Sequence, residues 1–103
     1  MKKKVFYNEN ALEELSMFEE STRDDFDGLV RILREKGRLS YPDARKITKE
    51  LFEIRITDDG EYRGFYAYIW EEHVVILHFF QKKAQKTPLR NIKTALNRLN
   101  YYK

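Results

Sequence analysis

The segment Tyr62-Arg63-Gly64-Phe65-Tyr66-Ala67-Tyr68-Ile69-Trp70 constrains the fold more than any other part of the chain. It is aromatic or aliphatic at alternate positions on both sides, and charge interrupts it only at Arg63. A strand apolar on both faces belongs in the middle of a sheet, with cover above and below. Its neighbours in sequence supply the partners. Leu51 to Thr57 alternates Leu51, Glu53 and Arg55 with Phe52, Ile54 and Ile56, and Val74 to Phe80 is a further apolar run. Asp58-Asp59-Gly60-Glu61 and Glu71-Glu72-His73 carry turn chemistry between them. Three strands joined this tightly predict an antiparallel meander.

The rest of the chain reads mainly as helix. Lys4 to Tyr7 is a short first strand. Asn8 or Asn10 can cap a helix, Glu13 making a capping box with Asn10, and Leu12, Leu15 and Phe18 mark its apolar face. Ser21-Thr22 offers a second cap, Phe26, Leu29, Val30 and Leu33 form the next stripe, and Gly37 is a natural stop. Arg38 to Glu50 reads as a loop with a helical turn after Pro42. Thr87 caps and Pro88 opens a last helix, with Leu89, Ile92, Leu96 and Leu99 on one face and Arg90, Lys93, Asn97 and Arg98 on the other. The order β-α-α-β-β-β-α defines an α+β class, with helices covering the meander and residues 1–103 forming one domain.

Composition narrows the functional classes. With no cysteine, the chain has neither a disulfide framework nor a thiolate metal site, which fits a cytoplasmic setting. Two histidines give no metal-ligand spacing, so no metal and no cofactor is expected. No stretch approaches a membrane span, and no membrane partner is expected. The net charge of +3 conceals a polarised chain. Residues 73–103 contain no acid and carry +7, whereas residues 1–72 sum to −4. A positive field of this kind suits a polyanion such as nucleic acid.

In a meander, the start of the second strand lies near the end of the first and the end of the third. Arg55, Arg63, Lys82 and Lys83 should therefore converge at one end of the sheet. A one-residue change of register would send Arg63 to the face opposite Arg55. Repelling cations so close together need an anion, either an external phosphate or an internal partner such as Glu53 or Glu61. Lys86, Arg90, Lys93 and Arg98 read as a broader docking surface or as ordinary solvated charge. His78 alternates with Ile76 and Phe80 and so reads as an interior histidine, while His73 lies in a turn. Phe65, Tyr66, Tyr68 and Trp70 have the spacing of core residues rather than of a base-stacking platform.

Leu51-Phe52-Glu53-Ile54-Arg55, Tyr62-Arg63, Leu77-His78-Phe79-Phe80-Gln81-Lys82-Lys83 and Gln85-Lys86-Thr87-Pro88, in that order, resemble the RelE/ParE toxin superfamily and, within it, its phage-derived HigB-like branch. The resemblance implies the toxin of a type II toxin–antitoxin pair, acting as a metal-independent endoribonuclease on mRNA at the ribosome. It implies an antitoxin partner with a helix-turn-helix domain. Catalysis would fall to Arg55, Arg63, Lys82 and Lys83, and RNA or ribosome binding to Lys86, Arg90, Lys93 and Arg98. RelE-type toxins often carry a Tyr after the basic pair, and this chain has none there. His78, Tyr101 and Tyr102 are left as candidate acid–base groups. Two alternatives are a ParE-like protein that inhibits DNA gyrase and an RNA-binding module without turnover.

Overall fold

The computed structural model describes residues 1–103 and has three layers. The elements are β1 (Lys4–Tyr7), α1 (Glu9–Ser16), α2 (Glu20–Lys36), β2 (Ala44–Lys46), β3 (Phe52–Thr57), β4 (Glu61–Ile69), β5 (His73–Lys82) and α3 (Leu89–Asn100). One sheet runs β1-β5-β4-β3-β2. Its pairs are antiparallel except β1 with β5. The expected meander is β3-β4-β5, and β4 is central with apolar residues on both faces. Phe26, Val30 and Leu33 of α2 and Ala11 and Leu15 of α1 pack with Ile54, Ile56, Tyr66, Val74, Ile76 and Phe79 on one face. On the other, Ala95 and Leu99 of α3 cover Phe65, Ala67, Ile69, Val75, Leu77 and Phe80.

Local details depart from the sequence reading. Residues 44–46 form an edge strand rather than loop, because Ala44, Arg45 and Lys46 pair with Ile54, Glu53 and Phe52. Asn8 is the cap of α1, its side chain accepting from Asn10 and Ala11 N–H, so Asn10 lies inside the helix. The buried face of α1 is Ala11 and Leu15, while Leu12 is half exposed. Ser21 and Thr22 lie within α2, and both hydroxyls donate to Asp58 instead of capping. Gly37 does end α2, in the left-handed conformation at φ 79° that glycine adopts without strain. Pro88 is the residue before α3, and Leu89 stays exposed.

A bulge in β5 separates residues that simple alternation would place together. Phe65 pairs with His78 but Tyr66 pairs with Ile76, leaving Leu77 unmatched. His78 therefore shares a face with Phe80, whose ring stacks on it, but not with Ile76. At this point β1 has also ended, its last pair being Tyr7 with Ile76. Beyond it the β5 backbone finds side chains. Phe79 N–H donates to Glu14 Oε1, and Leu77 C=O accepts from Arg98 Nη1.

Glu14 ties the two helical layers together through that gap. Arg98 of α3 grips it with two bonds of 2.9 Å, and His78 Nδ1 lies 2.9 Å from Oε1. The other His78 nitrogen, Nε2, is 2.7 Å from Asn91 Oδ1 on α3. Burial alone would raise the Glu14 pKa, but the hydrogen bonds from His78, Arg98 and Phe79 N–H together outweigh it and hold the carboxyl at about 2.

Two stability changes follow from this packing. Gly64 lies on the helical-hairpin face, where an added Cβ would meet the Phe79 ring at 2.9 Å, with Phe26 at 3.4 Å behind. Gly64→Ala should lower the unfolding free energy by about 1–3 kcal/mol in urea titrations. Glu14 has a folded pKa below its ordinary 4.5, so its contribution is complete above that value and is lost as pH falls from about 4.5 toward 2. Glu14→Gln should cost on the order of 3 kcal/mol at pH 7. It should also flatten the fall in stability between pH 5 and pH 3, measured by urea denaturation at each pH.

Candidate functional site

The three-residue loop from Asp58 to Gly60 sets the register of β3 and β4. Thr57 pairs with Glu61, and two steps inward Arg55 stands directly opposite Arg63. Directly opposed residues share a face, so both arginines lie on the α3 side of the sheet. Lys82 pairs with Glu61 and Phe80 with Arg63, which puts Lys82 on the same face at the same end. Lys83 follows on the exposed segment beyond β5. The structure thus brings Arg55, Arg63 and Lys82 onto one face at one end of the sheet, with Lys83 next to Lys82 in the chain.

Their surroundings differ sharply. The Arg63 side chain is 3% exposed. Its Nη2 lies 3.0 Å from Glu61 Oε1, its Nη1 donates to Tyr62 C=O, and its Nε lies 3.7 Å from Glu53 Oε1 without a hydrogen bond. Glu53 is wholly buried, opposite Arg45 and one step along the same face from Arg55. Arg45 Nε lies 3.4 Å from it, and the Thr87 hydroxyl donates to its other oxygen at 2.7 Å. Thr87 therefore fixes the segment before α3 to β3 rather than capping the helix. A buried carboxylate among two arginines and a hydroxyl satisfies the requirement that buried charge be paired.

Arg55, like Lys82, is only partly buried. Its guanidinium lies 5.8 Å from the centre of the Tyr41 ring, an attractive cation–π placement. Tyr41, Pro42, Asp43, Arg55, Thr57 and Glu61 line a shallow cleft of about 370 Å³. Tyr41 is 74% exposed, and the Tyr41–Pro42 peptide is cis. The sequence reading missed both Tyr41 and Arg45. The Tyr-Pro pair was a visible loop signal, but Arg45 joins the group only through the unforeseen pairing of β2.

Other expected residues are dispersed. Lys86, Arg90 and Lys93 are exposed on the segment before α3 and along its outer face. Arg98 does not stand with them, because its guanidinium is turned inward onto Glu14 and Leu77 C=O. His78 is buried with both ring nitrogens engaged. Tyr101 and Tyr102 follow the far end of α3, about 18 Å along the helix from Thr87. Tyr102 OH accepts from Asn8, whereas Tyr101 is exposed. Neither tyrosine reaches the cationic end. No three His, Asp or Glu side chains converge as a metal site, and no helix is long and apolar enough to cross a membrane.

Comparison with known proteins places this geometry in a family. Among solved structures, the chain is similar to a free E. coli toxin RelE carrying two arginine-to-alanine substitutions. The TM-score is 0.74 at 18% identity, over 96% of this chain and 99% of that one. It is similar to RelE in the archaeal RelE–RelB complex from Pyrococcus horikoshii, with TM-score 0.67 and 20% identity over 84% and 100% of the two chains. It also resembles a chain of the intact E. coli RelBE toxin–antitoxin complex, with TM-score 0.65 and 17% identity over 80% and 99%. No curated protein matches it by sequence. The family model described as phage derived protein Gp49-like (DUF891) matches residues 13–100, which include every strand of the meander and the whole cationic group. The chain therefore belongs to the phage-derived Gp49-like family and carries the fold of the RelE toxins.

Proposed function

We propose that this protein is the toxin of a type II toxin–antitoxin pair and cleaves mRNA on the ribosome, as members of the HigB-like branch do. The observation that carries the proposal is the direct cross-strand pairing of Arg55 with Arg63, with Lys82 on the adjoining strand. Like charges opposed in a sheet repel, and a phosphodiester between them relieves the repulsion. The Gp49-like family and the RelE fold support the same reading.

In the proposed reaction the RNA 2′-hydroxyl gives its proton to a base and bonds to the adjacent phosphorus as a 2′,3′-cyclic phosphate, while the P–O5′ bond breaks and the departing 5′-oxygen takes up a proton. Negative charge gathers on the phosphoryl oxygens in the transition state, where preorganised cations stabilise it selectively. Arg55 and Arg63 hold those oxygens, because a guanidinium matches their planar, bidentate geometry. Acid–base assistance falls to Lys82 and Lys83. His78 is occupied by Glu14 and Asn91, and Tyr101 and Tyr102 lie at the far end of α3. The exposed Tyr41 ring beside Arg55 offers a face for a base to stack on. Lys86, Arg90 and Lys93 dock the protein on ribosomal RNA, an interaction that weakens steeply with salt. Its partner in the resting cell is an antitoxin with a helix-turn-helix domain, in keeping with the complexes that the archaeal and E. coli relatives form with RelB.

Arg55→Ala is the informative substitution. Arg63→Ala would remove a buried side chain and leave Glu53 with Arg45 and Thr87 alone, a loss on the order of 3 kcal/mol, so loss of toxicity there would say little. Arg55→Ala should cut cleavage of ribosome-bound message roughly 10²-fold while the melting temperature is kept. Induction of the wild-type protein alone should arrest growth with rapid loss of translated mRNA. Arrest with intact transcripts and a DNA-damage response would replace this reading with gyrase inhibition.

A further inference from the structure

A surface for phosphate gains nothing from a carboxylate, yet Glu61 stands among these cations. It opens β4, pairs with Thr57 on one side and Lys82 on the other, and precedes Arg63 by two residues on the same face. Its Oε1 lies 3.0 Å from Arg63 Nη2, and its Oε2 accepts from the Thr57 hydroxyl at 2.9 Å. It also lines the cleft that contains Arg55 and Tyr41. Hydrogen bonds from Thr57 and from Arg63 hold its carboxyl below the usual range, so it is ionised at neutral pH.

The other partners of Arg63 cannot yield. Tyr62 C=O is part of the sheet backbone, and Glu53 is wholly buried and held by Arg45 and Thr87. Glu61 differs, with a side chain 47% exposed at the edge of a turn. Among the groups that touch the Arg63 guanidinium, Glu61 has the most exposed side chain. One carboxylate oxygen sits on a guanidinium and the other on a hydroxyl, a pair of donors that also suits the two non-bridging oxygens of a phosphodiester. We infer that Glu61 is an internal stand-in for phosphate, occupying the Arg63 position in the free protein and displaced when an RNA phosphodiester binds. The identity of the displacing ligand rests on the RNA-cleaving function proposed above. Displacement also frees the Thr57 hydroxyl to donate to the incoming phosphate, and it makes weakly held anions poor competitors for the site.

The test is a binding titration of the full-length protein with a single-stranded trinucleotide carrying 2′-O-methyl groups, which cannot be cleaved by 2′-hydroxyl attack. Wild type, Glu61→Gln and Asp59→Asn are compared. Asp59→Asn removes an equal charge from the same turn without touching Arg63, and asparagine tolerates the positive φ of that position. Glu61→Gln should bind about tenfold tighter than wild type, the scale of one charge-assisted hydrogen bond no longer in competition. Asp59→Asn should change affinity by less than about twofold, as befits a screened surface charge. The Arg63 Nε–H resonance should move on binding in both wild type and Glu61→Gln. The inference is overturned if Glu61→Gln binds no tighter than Asp59→Asn, if the Arg63 resonance stays still, or if neither protein binds. Cleavage of ribosome-bound message by the wild type scores the nuclease function separately. Cleavage without the gain in binding defeats the role of Glu61 alone, and the gain without cleavage defeats the nuclease function alone.

Discussion

The cationic end of the sheet depends on the carboxylate of Glu53, which has no exposed surface and lies among Arg63, Arg45 and Thr87. Arg63 is nearly as buried, and the two opposite charges lie within 3.7 Å of each other, each with further partners of its own. Their pairing fixes the Arg63 side chain at the face where Arg55 and Lys82 arrive from adjacent strands. It also reaches outside the sheet, because the Thr87 hydroxyl anchors the segment that leads into α3. One buried acid thus places both an arginine of the site and the start of the helix that covers the sheet beside it.

Much of this architecture is local enough to be read from sequence. The meander announces itself through alternating apolar residues and turn chemistry, and Gly37 ends α2 because a left-handed residue is needed there. Even the opposition of Arg55 and Arg63 follows once the connecting loop is known to be three residues long, since register then counts back from Thr57 and Glu61. The failures are those of long-range contacts. The Ala44-Arg45-Lys46 segment has one apolar residue and becomes a strand only because β3 lies beside it. The bulge at Leu77 leaves no mark on composition, yet it alters which residues His78 faces. Glu14 and Arg98 look like solvated charges at helical spacing, but they meet across 84 positions of chain. In α1, an alanine and one leucine bury where periodicity favoured Leu12, because a helix of eight residues is oriented by its anchors more than by its own stripe.

The acids at the cationic end divide by exposure into two kinds. Glu53, sealed from water, neutralises charge permanently and makes the buried arginine affordable in the folded state. Glu61, half exposed, is the acid that we infer to neutralise it reversibly. A cluster of Arg55, Arg63 and Lys82 with only the buried acid would carry uncompensated repulsion whenever no polyanion was present, and the free protein would bear that destabilisation. An exposed carboxylate on the same face relieves it in the free state at the expense of some affinity. The arrangement therefore reconciles two opposed demands, stability without ligand and a strong positive field with it.

A similar logic governs α3. The helix is fixed near its start through Thr87 to Glu53 and in its last turn through Arg98 to Glu14, so a buried or half-buried carboxylate holds each end. Ala95 between these anchors and Leu99 just past the second seal the second core. Rotation about the helix axis is then closed to it, and Arg90 and Lys93 must face outward on the side opposite that seal. Any surface that α3 presents to a large anionic partner is consequently held in a constant orientation relative to Arg55 and Lys82. The acid-free tail acquires its orientation from two acids that lie far earlier in the chain.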